Sequence, residues 1–118
     1  MEEASFITNE DGDDLIVSFA IPVDEFGDVK SLTLLRTPKC ELIMDECERG
    51  VNVSFDGFPD DEYELLEQVK IEGDVVTITT NYRTYTVSIR DVDDVEIEKS
   101  KRILKKMNYD KRFGLKIV

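Results

Sequence analysis

The chain has 118 residues, with 27 acids, 15 bases and no histidine, for a net charge of −12. That length suffices for one domain with its own core, and 41% hydrophobic against 36% charged residues describes a globular chain with a heavily ionised surface. No apolar run approaches the roughly 18 residues of a membrane span, and the acidic opening Met1-Glu2-Glu3 is unlike the basic start of a signal peptide, so a cytoplasmic protein is expected.

Ala4 to Thr8 is a short strand candidate, and Asn9 to Asp14 a turn containing an Asp-Gly step. Leu15 to Ile21 alternates, with Leu15, Val17, Phe19 and Ile21 on one side; Ile16 and Ala20 make the other side apolar as well, so both faces are expected to be covered. After Pro22 and an acidic loop, Val29 to Arg36 is the next strand, with Leu32 and Leu34 inward, broken by Thr37-Pro38. Glu41 to Met44 reads as a weak strand, Asp45 to Gly50 as a charged turn, and Val51, Val53 and Phe55 as the inward side of another strand. Pro59 followed by Asp60, Asp61 and Glu62 predicts one helical turn starting near Asp60.

The stretch from Gln68 to Ile89 is the most informative, because one turn register explains both of its faces. Two-residue turns at Gly73-Asp74 and Asn81-Tyr82 set Ile71 opposite Val76, Val69 opposite Ile78, Ile78 opposite Tyr85 and Val76 opposite Val87. Opposed residues share a face. Val69, Ile71, Val76, Ile78, Tyr85, Val87 and Ile89 therefore make an apolar face, and Gln68, Lys70, Thr77, Thr79, Thr84, Thr86 and Ser88 a polar one. A one-residue slip would mix the two. The strand is expected to begin at Leu66.

A helix follows. Asp93 with Glu96 three residues on has the spacing of a capping box; acids crowd the helix start and lysines its end, as the macrodipole favours. Ile97, Ser100, Ile103, Leu104 and Met107 form the buried stripe, Asn108 is the expected left-handed stop, and the meander's apolar face is the surface that this helix should cover. Phe113, Leu115 and Ile117 then alternate as a last short strand. The predicted fold is α+β: an antiparallel sheet of about seven to eight strands, strongly bent or two-layered, with one long C-terminal helix on the 66–90 meander and a short last strand, all within a single acidic domain of residues 1–118.

The absence of histidine removes the commonest general base and metal ligand, and with it every Ser-His-Asp or Cys-His arrangement. No glycine-rich phosphate loop is present. Cys40 and Cys47 alone leave a tetrahedral zinc site unfilled, and in a reducing compartment they read as thiols, the alternative being a disulfide across the six residues between them. Asn9, Asp11 and Asp13 mimic the opening of a calcium loop, but Asp14 stands where that loop needs glycine and Ala20 where it needs glutamate. No cofactor and no metal are expected.

The charge is unevenly placed. Residues 1–98 hold 26 acids and 7 bases, a net −19, whereas residues 99–118 hold one acid and eight bases, a net +7. Such a field disfavours nucleic acid and anionic membrane and favours a cationic protein partner. The candidate partner-binding residues are Asp11, Asp13 and Asp14 in one acidic cluster, Asp60, Asp61, Glu62 and Glu64 in a second, and the aromatic anchors Tyr63 and Tyr82. The leading expectation is a non-enzymatic acidic module docking a basic protein, a toxin or nuclease for example, as an inhibitor, immunity protein or antitoxin does. A structural or homodimeric domain, pairing through the threonine face or a sheet edge, comes second. A carboxylate- or metal-dependent hydrolase is third.

Overall fold

The computed structural model describes residues 2–23, 27–43, 49–56 and 64–118. The expected helical turn at Asp60 and residues 45–48 of the expected charged turn lie outside them. Among the described residues the fold is α+β, with nine strands in two sheets and one long helix.

The first sheet has the order β1-β8-β7-β6-β9 and contains β1 (Glu2–Glu3), β6 (Leu66–Glu72), β7 (Val75–Thr80), β8 (Thr84–Ser88) and β9 (Gly114–Ile117). The second has the order β2-β3-β4-β5 and contains β2 (Phe6–Asp11), β3 (Leu15–Pro22), β4 (Val29–Arg36) and β5 (Asn52–Phe55). They join along both flanks. The extended run holding β1 and β2 changes partner at Ala4-Ser5, where Ala4 N–H donates to Ser88 of β8 and Ser5 N–H to Ala20 of β3. On the other flank β5 meets the start of β6 through Val53 N–H to Glu64 O and Leu66 N–H to Val51 O, each at 2.9 Å.

The meander has the register that its alternation dictates. Ile71 pairs with Val76, Val69 with Ile78, Ile78 with Tyr85 and Val76 with Val87. Its whole apolar face is buried, and its threonine face is half-exposed. Gly73 supplies the positive φ of 61° that the β6–β7 turn needs. At Asn81-Tyr82 no such angle is adopted; the Thr80 hydroxyl instead accepts from the N–H of Tyr82 and of Arg83, closing the loop without a primed turn.

Three expectations are corrected. The strand expected at Glu41 to Met44 is not formed over its described residues, Met44 lying outside them: Pro38–Ile43 is a 3-10 helix, opened by the proline at the position where its missing N–H costs nothing. The sheet system is mixed, because β1 runs parallel to β8 and β9 parallel to β6; hydrophobic alternation carries no information on direction. Asn108 ends the helix at φ −97°, donating to Leu104 and Lys105 carbonyls, and the left-handed residue is Lys111 at φ 56°.

The helix α1 (Asp94–Met107) is N-capped by Asp93, whose carboxylate accepts from Val95 N–H at 2.9 Å. It lies nearest β2 and β3. Its buried residues Ile103, Leu104 and Met107 share one core cluster with the meander's apolar face and with Val17, Phe19, Leu32 and Leu34 of the second sheet. No helix among the described residues is long and apolar enough to cross a membrane.

Candidate functional site

The β-registers sort the charges to two ends of the molecule. At one end lie the β2–β3 hairpin, the end of β4, the 3-10 helix, the end of α1 and the Thr80–Arg83 loop. At the other lie β1, the β6–β7 turn and the segment joining β8 to α1. The helix runs between them.

The first end is dense with charge, much of it paired internally. Arg36 is the last inward residue of β4 and 1% exposed. Its guanidinium forks onto Glu41 at 2.7 and 2.8 Å and onto Asp110 at 2.8 and 2.9 Å, and donates also to the Met107 carbonyl and the Tyr109 hydroxyl. The Tyr109 ring lies over it, 4.3 Å from centroid to Cζ. Burial acts to lower the Arg36 pKa, but the bonds to Glu41 and Asp110 outweigh it and hold the guanidinium charged. Asp110 is drawn down to about 2, chiefly by its hydrogen bond to Arg36, against burial and with help from Arg112 at 2.6 Å. This cluster ties the segment after α1 to the end of β4.

The described acids among those chosen from sequence belong to this end. Asp11, which terminates β2 rather than standing in a turn, pairs with Lys106 of α1. Asp13 pairs with Lys39 at 2.9 Å, and Asp14 accepts from Thr37 Oγ1 at 2.6 Å. Asp13 keeps 79% of its side-chain surface in solvent, so its pair is a weak, screened one. Glu64 is not an exposed recognition residue but is 4% exposed. It accepts from Thr80 and from the Tyr85 hydroxyl, both at 2.7 Å, with Arg83 Nε at 3.7 Å. The inward position just before β6 makes it a buried acceptor, and a sequence window of consecutive acids conceals that. Burial, then the bond to Glu64, raises the Tyr85 phenol well above its usual pKa. Tyr82 is 55% exposed at its hairpin tip. Asp60, Asp61, Glu62 and Tyr63 lie outside the described residues.

The opposite end carries the acids that sequence reasoning passed over. Glu3 pairs with Ser88 in the sheet, Ile89 N–H donates to the Asp74 carbonyl at 2.7 Å, and buried Val92 ties down the following loop. Glu2, Glu3, Asp74, Asp91, Asp93 and Asp94, all exposed, thereby fall at one end of the molecule, where Arg90 is the one base within these segments. Arg90 sits 3.5 Å from Glu3; Glu2, Asp74, Asp91 and Asp94 make no ion pair with a described residue. Val95 lies beside them, 60% exposed on the first turn of α1. The available signal was the meander register itself, which sets Asp74 level with the residues after Ser88.

Among the described residues no three Cys, Asp or Glu side chains are grouped closely enough to share a metal ion. Cys40 is an exposed free thiol on the 3-10 helix, and Cys47 lies outside the described residues. In comparisons with known proteins, no family model matches the chain, and neither a curated protein nor a solved structure matches it.

Proposed function

We propose that the chain is a non-enzymatic, cytoplasmic protein-binding module whose acidic end docks a basic protein partner and blocks or chaperones it, as an inhibitor, immunity protein or antitoxin does. The observation that carries this reading is the asymmetry of charge matching. Asp11, Asp13, Glu41 and Asp110 at the Arg36 end are paired internally, whereas Glu2, Asp74, Asp91 and Asp94 are exposed and make no ion pair with a described residue, with exposed Val95 following Asp94 on the first turn of α1. An acid-rich end beside an exposed apolar residue suits steered docking of an opposite charge. The test is capture from a native lysate at low salt with elution at 0.5 M salt, comparing wild type with Asp74→Lys/Asp91→Lys/Asp94→Lys. A basic protein retained by wild type and lost by the variant is expected. Equal capture by both, or capture insensitive to salt, overturns the reading. The half-exposed threonine face of β7 and β8 favours self-association as a second reading, for which light scattering should give a dimer whose mass ignores salt.

A further inference from the structure

We infer that the free edge of β9 and the groove beside it bind an extended acidic peptide by strand addition. β9 ends its sheet, and no described strand pairs with its outer side. Val118 N–H donates inward to Ile71 O at 2.8 Å. Strand alternation therefore aims the N–H and C=O groups of Leu115 and Ile117 outward, two donors and two acceptors spaced for another strand.

The side chains beside that edge define the occupant. Leu115 and Ile117 face α1, and the helix turns Glu98, Lys101, Arg102 and Lys105 toward them, a stripe at the spacing of one helix face. Together they line a groove of about 530 Å³. Lys101 is matched by Glu98 at 3.2 Å, while Arg102 and Lys105 make no ion pair with a described residue. Lys116 projects from the opposite face of β9, level with Lys70. A strand laid along this edge would turn alternate side chains toward Arg102 and Lys105, so acidic residues at every second position satisfy both the ladder and the bases. A second copy of the chain fits poorly, since β9 against β9 sets two such basic flanks side by side. The groove lies on the flank between the two ends of the molecule and stands independently of any partner at the acidic end.

The probe is a labelled ten-residue peptide alternating Glu with Thr, against its Lys-Thr counterpart, followed by anisotropy and by amide spectra of the full chain. The acidic peptide should bind, slow the exchange of the Leu115 and Ile117 amides and leave those of β3 unchanged. Arg102→Glu/Lys105→Glu, two exposed changes, should weaken it about tenfold or more. Ile117→Pro removes an outward N–H and a groove side chain but no ladder hydrogen bond, and should abolish binding with the melting temperature retained. Binding of both peptides alike, equal binding by the charge-reversed variant, or protection at another edge overturns the proposal. So does protection of Leu115 and Ile117 in a peptide-free dimer, or a single-stranded DNA oligomer competing for the same amides.

Discussion

Arg36 shows how one side chain organises an end of the molecule. It shares the inward phase of Leu32 and Leu34, so periodicity alone predicts an apolar residue there. What sequence cannot supply is that Glu41, five residues on, and Asp110, seventy-four residues on, arrive at its two nitrogen forks. Removing it strands two carboxylates: Arg36→Ala should cost about 3–5 kcal/mol in urea unfolding, and Arg36→Met/Glu41→Leu should recover much of that. Equal losses in the single and double variants would exclude an unpaired charge as the cause. Asp110 adds a pH signature. Its folded pKa of about 2 lies below its ordinary value of 3.8, so its contribution is complete above about pH 4 and is lost as pH falls toward 2. With the residue partly in solvent, that contribution is on the order of 1 kcal/mol. The stability gap between wild type and Asp110→Asn should close over that window.

At the scale of elements, what was legible is what lives within a short window. The meander register followed from alternation and two turns, and α1 from its N-cap and its apolar stripe. Relations between distant segments were not legible, and Glu96 is the clearest case. Its spacing from Asp93 suggested a reciprocal cap, yet its carboxylate accepts from Ile7 N–H of β2 at 3.1 Å. Asn9 beside it donates to the Glu96 carbonyl and accepts from Ser100. The helix thus covers the edge of β2, answering a backbone donor that would otherwise face outward. Glu96→Ala should destabilise by about 1–3 kcal/mol and speed exchange of the Ile7 amide, whereas Glu96→Gln, which keeps an acceptor oxygen, should restore most of both. An unchanged Ile7 exchange rate in Glu96→Ala would show that this bond does not hold the edge.

At the scale of the whole molecule, the sum of charges could be read from composition but their geography could not, since it depends on which acids meet a base through the fold. The exposed pairs Lys39–Asp13, Lys70–Glu72, Arg90–Glu3, Lys101–Glu98 and Lys106–Asp11 each contribute roughly 0–1 kcal/mol and weaken with salt. Against them stands the mutual repulsion of a chain at −12, which salt also weakens. Range decides between them. At 0.01 M salt the screening length is about 30 Å, comparable with the 43 × 30 × 24 Å extents of the molecule, so unmatched acids at one end repel across much of the structure. At 0.5 M that length falls to a few ångströms and only contact pairs persist. Repulsion is therefore the larger quantity lost, and the melting temperature should rise between these two salt concentrations, by on the order of 5 °C for a domain of this size. Asp74→Lys/Asp91→Lys/Asp94→Lys, each change replacing a negative charge by a positive one, halves the net charge and should flatten that rise. A melting temperature that falls with salt in the wild type would place the balance with the surface pairs instead, and the acidic end would then have no excess field with which to steer a partner.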